Sequence, residues 1–241
     1  MRRWTSATLA AGALTLAAAA AAGAQAQKND ELYTAQIKQY LSDPRISTEL
    51  VDHLPASATV PTPLKFLGHI VGAPGILDHA ADIHRYLQAV AKAAPKRAKY
   101  WTIGKTEEGR EMVMLAIGSE EAIANLDRYK HDLNELTDPR KTTEARARQL
   151  IHTAKPIYWI TSGIHSPESG GPEMLMELAY RLVVEETPFI QNIRNNVITL
   201  ITPVVEVDGR EKYVDNHYFN EKWNKEHGVA EGAPGGRGGG P

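Results

Sequence analysis

Apolar residues recur at helical spacing over 78–94, where Ile83, Tyr86, Leu87 and Val90 share one face, Asp78 is a candidate N-cap and Pro95 closes the segment. Ahead of it, 28–62 is mixed. A short helix over 35–41 is stopped by Asp43-Pro44, and Pro55, Pro61 and Pro63 then mark a loop. The period changes at 100–103, which reads as a strand, with 106–109 as its turn and 111–117 as a second strand carrying Val113, Leu115 and Ile117 on one face. Helical stretches over 120–136 and 143–152 follow, the first broken by Asp138-Pro139. The run 156–162, containing Ile157, Tyr158, Trp159 and Ile160, predicts a buried strand. A loop to Gly171 leads into a helix over 172–186 with the stripe Leu175, Leu178, Ala179, Leu182 and Val183, and 196–202 predicts another buried strand. Strand, helix and strand at this spacing form a βαβ unit with a parallel core. The expected class is α/β, a mixed, mainly parallel sheet flanked by helices.

The two ends have a different character. Arg2 and Arg3 precede an Ala-rich apolar run over 4–23, and Ala24-Gln25-Ala26 matches a small-x-small cleavage site. This predicts a signal peptide over 1–26 and a periplasmic or extracellular product without membrane contact after cleavage; the alternative is an N-terminal membrane anchor. Residues 27–77 read as an extension wrapping a domain over 78–231, and the Gly/Pro-rich tail over 232–241 is expected to be disordered. A formal net charge of −2 argues against a protein that coats nucleic-acid phosphates. The absence of cysteine excludes disulfides and thiolate ligands, so any transition metal must be held by histidines and carboxylates.

That restriction directs attention to Ser162-Gly163-Ile164-His165-Ser166-Pro167-Glu168, placed where a strand ends and a helix is about to begin. Ligands of open α/β sheets bind at the carboxyl ends of strands. A neutral imidazole and a carboxylate three residues apart are suitable zinc donors. The plainer alternative is that Pro167-Glu168 only opens a helix, where Glu is favourable. After the next strand, Asp208-Gly209 reads as a turn, with Asp208 either a solvated turn residue or an acceptor for the second ring N–H of His165. His79 and His84 on the first long helix read as surface or core-edge residues. His217 and His227 are candidate third ligands, set against the simpler reading of exposed histidines.

Three segments together resemble the zinc carboxypeptidase family: Gly104-Lys105-Thr106-Glu107-Glu108-Gly109-Arg110-Glu111 between the two strands, Gly163 to Glu168, and Glu206-Val207-Asp208-Gly209-Arg210, where Glu206 and Val207 replace the family's Asn and Pro. They occur in family order across about 78–220. The resemblance implies one Zn2+ held by His165, Glu168 and a more distant His. It also implies hydrolysis of a peptide bond by a zinc-activated water, a downstream Glu as general base, and an Asn-Arg clamp for the substrate's terminal carboxylate. Neither the family's third ligand nor its general base has a matching position here. The general base is therefore expected beyond residue 241, in a domain incomplete at its C-terminus. The competing readings are an amide hydrolase of the aspartoacylase or succinylglutamate-desuccinylase type acting on acylated amino acids, and a non-catalytic exported binding module of the same fold.

Overall fold

The computed structural model describes residues 27–229; the expected signal peptide and Gly/Pro-rich tail lie outside them. The chain runs α1 (Glu31–Tyr40), α2 (Pro63–Leu67), α3 (Ala80–Ala93), β1 (Ala98–Lys105), β2 (Glu111–Ile117), α4 (Glu120–Ala124), α5 (Leu126–Leu136), α6 (Glu144–Thr153), β3 (Ile157–Thr161), α7 (Gly170–Val184), α8 (Pro188–Asn196), β4 (Ile198–Thr202) and α9 (Val207–Glu226). Side-chain oxygens start several of these helices, as expected for orphan N–H groups. Asp30 accepts from Tyr33 N–H at α1, Ser119 from Ala122 at α4, and Thr143 from Arg146 at α6. The predicted helix over 120–136 is two helices, because Asn125 leaves helical geometry at φ −118° and ψ 26°. Helix α8 was not anticipated, although Thr187 caps it and Pro188 occupies its first turn.

The four strands lie in the order β1-β2-β4-β3. β1 and β2 form the expected antiparallel hairpin, β2 pairs antiparallel with β4, and β3 pairs parallel with β4. The sheet is therefore mixed, as expected, but its parallel share is smaller than expected: one strand interface of the three among the described residues. The βαβ connection from β3 through α7 to β4 accounts for that interface.

Leu115, Ile117 and Ile201 face α3 and α7, which bring Ile83, Leu87, Val90, Leu175, Met176 and Ala179 into one buried cluster. On the opposite face Ile198 packs with Ala122 and Tyr129. This two-sided cover explains why residues 113–117 are buried without interruption, where alternation alone had suggested a single buried face. The segment ahead of α3 contributes Tyr33 and Leu54 to the main cluster. It is bound to α7 by Tyr180 Oη donating to the Pro55 carbonyl at 2.8 Å and by Tyr33 Oη donating to Glu177 at 2.9 Å.

One expectation is corrected here. β3 is an edge strand, with Ile157, Tyr158 and Trp159 exposed by 43, 65 and 55%. Its apolar run was read as buried, but only β4 lies alongside it among the described residues. Among these residues, no helix is long and apolar enough to cross a membrane.

The contrast between core helix and edge strand is measurable. Leu175→Ala removes a fully buried side chain from α7 and is expected to lower stability by about 2–5 kcal/mol. Ile157→Ala at the exposed edge is expected to change it by no more than about 0.5 kcal/mol. Urea unfolding of the two variants tests the difference.

Candidate metal-binding site

Because β3 and β4 run parallel, their carboxyl ends open side by side and the loops leaving them are joined through the backbone. Ser162 N–H donates to the Thr202 carbonyl at 3.2 Å, Val205 N–H to that of Ser162 at 2.8 Å, and Glu206 N–H to that of Gly163 at 2.9 Å. Two glycines permit this approach. Gly163 adopts φ +63°, and a Cβ there would stand 3.1 Å from the ring of Pro172. At Gly209, in the first turn of α9, a Cβ would collide with the Glu206 carboxylate and the Ser166 hydroxyl.

His165 and Glu168 lie exposed on the β3–α7 loop. The Glu168 carboxylate turns back to accept the His165 backbone N–H at 3.2 Å, and Glu168 N–H donates to the His165 carbonyl at 3.0 Å. Backbone atoms of His165 make these bonds, so the imidazole is not consumed by the turn. Ser166 Oγ donates to Glu206 at 3.2 Å and links the bend to the start of α9. An imidazole and a carboxylate are the donor types zinc takes. Among the described residues, however, no group of three or more His, Cys, Asp or Glu is arranged to hold a metal ion. The donor chemistry fits and the donor number falls one short of the usual three.

The candidate third ligands make contacts of their own, although the buried Nε2 of His217 finds no hydrogen bond among the described residues. His217 faces Glu221 at 3.8 Å and packs edge-on against Tyr218, lining a cleft of about 580 Å³ with Glu173 and Glu221. His227 stacks on Trp223 with ring centroids 4.1 Å apart. His79 meets Asp215 at 2.9 Å. His84 lies at the core edge, one of its two expected places, and desolvation pushes its pKa down to about 4, so it is neutral at pH 7.

Asp208 departs from both of its readings. It lies in the first turn of α9 and not in an isolated turn, and its carboxylate accepts from Thr106 Oγ1 at 2.8 Å, Glu108 N–H at 3.1 Å and Arg110 at 2.7 Å. These donors, all from the β1–β2 turn, take the place of the His165 ring N–H. Burial acts to raise the Asp208 pKa, but the bonds from Arg110, Thr106 and Glu108 outweigh it and hold the group below the usual carboxylate range. Two motifs far apart in sequence are thus a single contact, with Gly109 at φ +84° turning the hairpin so that Thr106 and Arg110 face α9.

Asp78, Glu173 and Arg210 were not anticipated as a unit. Asp78 does not cap α3, which begins at Ala80 after His79. Its carbonyl accepts from Arg210 Nε at 3.0 Å and Nη2 at 2.8 Å. Glu173 Oε1 accepts from Arg210 Nη2 at 2.8 Å and from Asp78 N–H at 2.9 Å. The available signal was Glu173 itself, a carboxylate beside an apolar helical stripe, which requires a partner when buried.

The Peptidase M14 zinc carboxypeptidase model matches residues 83–236, more than half of the chain, and the chain belongs to that family. Similar solved structures include thrombin activatable fibrinolysis inhibitor, at 17% identity and a TM-score of 0.42 over 59% of this chain and 29% of that one. Carboxypeptidase A from Helicoverpa armigera is 18% identical, with a TM-score of 0.41 over 75% and 31% of the two chains. A metallo-carboxypeptidase from Burkholderia cenocepacia is 21% identical, with a TM-score of 0.36 over 53% and 26%. The matches thus span less than a third of each of these chains. Comparison with curated proteins found no match.

The Asp208 contact carries a signed pH dependence. Because its folded pKa is depressed, its contribution is present above the ordinary Asp value of about 3.9 and is lost as pH falls through the folded value. Asp208→Asn is expected to lower the thermal midpoint at pH 7, and the gap from the native chain should narrow below about pH 4. Midpoints measured across that range test it.

Proposed function

We propose that this chain provides His165 and Glu168 as two zinc ligands of an exported metallocarboxypeptidase-like hydrolase acting on peptide bonds. The observation that carries the reading is the His165–Glu168 turn at the carboxyl end of β3, with both side chains exposed and the imidazole outside the hydrogen bonds that shape the turn. Family membership supports it. Zinc, when bound, supplies Lewis-acid polarisation of a carbonyl and a water acidified toward neutrality. The chain's own residues hold the site in position. Glu168 closes the turn on His165, Ser166 and Glu206 link it to α9, and the Thr106–Arg110 turn anchors α9 through Asp208. A third protein ligand and the general base come, in this reading, from outside the described residues. The substrate is a peptide with a free carboxyl terminus, met in the periplasm or outside the cell.

Calorimetric titration of this chain with zinc is expected to show one site, weaker than a three-ligand centre. His165→Ala and Glu168→Gln should each abolish it while leaving far-UV dichroism unchanged. Unchanged affinity in either variant eliminates that residue as a ligand. No turnover of a blocked dipeptide by this chain is expected. Chelator-sensitive turnover would show that the chain already holds its remaining ligand and base, and would overturn their placement.

A further inference from the structure

Behind the β3–α7 loop, where α3, α7 and α9 begin, four largely buried ionisable side chains meet beside the cleft that Glu173 lines. Arg210 is 1% exposed, and Asp78 and Glu173 are each 5% exposed. His69 Nε2 stands 3.2 Å from Asp78 Oδ1. Glu173 Oε1 is occupied by two donors, Asp78 N–H and Arg210 Nη2, whereas Asp78 Oδ2 is buried and finds no hydrogen-bond donor among the described residues. Two ionised carboxylates in such a space, with one guanidinium that bonds Glu173 and only the backbone carbonyl of Asp78, would leave an uncompensated buried charge and an unsatisfied acceptor.

We propose that Asp78 and Glu173 share one proton, and that this proton locks the first turns of α3, α7 and α9 to one another. Carried by Glu173, it makes that carboxyl a donor to Asp78, offers the orphaned oxygen a partner and leaves a single negative charge in the cluster to set against one guanidinium. Burial first, and then the neighbouring Asp78 carboxyl, push the Glu173 pKa up to about 8, in the direction this arrangement requires. Other charged groups lie nearby. Along α7, Glu177 holds Arg181 and Tyr33. On α9, His217 stands 3.8 Å from Glu221 with its buried Nε2 making no hydrogen bond among the described residues, and Glu211 accepts the Ala81 N–H of α3. His69 is the remaining base beside the pair. The inference is independent of zinc binding.

The sign follows from linkage. An acid whose folded pKa is raised stabilises the fold fully below its unfolded value, and that stability is lost as pH rises through the folded value, here about 8. His84, neutral when folded, acts in the opposite direction below its ordinary value of about 6.5, so the test is made above that value. The thermal midpoint of this chain is expected to fall by several degrees from about pH 6.5 to about pH 9. Glu173→Gln supplies the donor permanently and should flatten the profile, while His69→Gln should retain the slope. A Glu173→Gln profile parallel to the native one overturns the proposal. So does a slope that survives in Glu173→Gln and vanishes in His69→Gln. If Glu173→Gln does not fold, isotope-edited infrared spectra of the native chain decide: a carboxylic-acid C=O band at pH 7, lost on raising the pH through about 8, is expected, and its absence at pH 7 refutes the shared proton.

Discussion

A guanidinium taken out of water needs partners for its donors, and Arg210 finds them for Nε and Nη2 at one place, while its Nη1 finds none among the described residues. Its Nε and Nη2 reach the Asp78 carbonyl and the Glu173 carboxylate, so one side chain in the first turn of α9 determines where α3 and α7 begin. The β3–α7 loop runs into α7 at Gly170, and Glu206 stands at the start of α9. The orientation of the loop therefore depends on that buried charge. An apolar residue at this position could fill the volume but could not select the Asp78 carbonyl, which is how buried polar contacts confer specificity where they add little net stability.

Around this centre the family motifs act on one another more than they act alone. The turn containing Thr106 and Arg110 exists to hold Asp208, and Asp208 holds α9 against the hairpin. The backbone bonds between the β3 and β4 loops then bring His165 and Glu168 beside Glu206. Gly163 serves the same closeness through its positive φ, and at Gly209 a Cβ would displace the Glu206 carboxylate and the Ser166 hydroxyl. The outcome is a donor pair on a well-supported loop, exposed and with an unengaged imidazole.

Much of this was legible in the sequence because its signals are local. Helical spacing of Ile83, Tyr86, Leu87 and Val90 and the apolar stripe of α7 each follow from a periodicity that a single element imposes, and the strand over 111–117 was legible although its continuous burial was not. His165 and Glu168 were singled out by residue type, spacing and the lack of cysteine, and the structure places both exposed on the β3–α7 loop. Helix α8 was local too, with Thr187-Pro188 as its start, and was missed for want of a long apolar stripe.

What the tertiary structure alone decided concerns partners distant in sequence. Asp208 contacts residues about a hundred positions away, and no turn propensity distinguishes Arg110 from the His165 ring as its partner. Asp78 looked like a cap because Asp before an apolar run usually is one, yet Arg210 claimed its carbonyl and Glu173 its N–H. The apolar run of β3 resembles a central strand, and only the sheet order places it at an edge. Periodicity records which face of an element is apolar. It carries no information about what lies against that face, because burial and pairing belong to two elements at once.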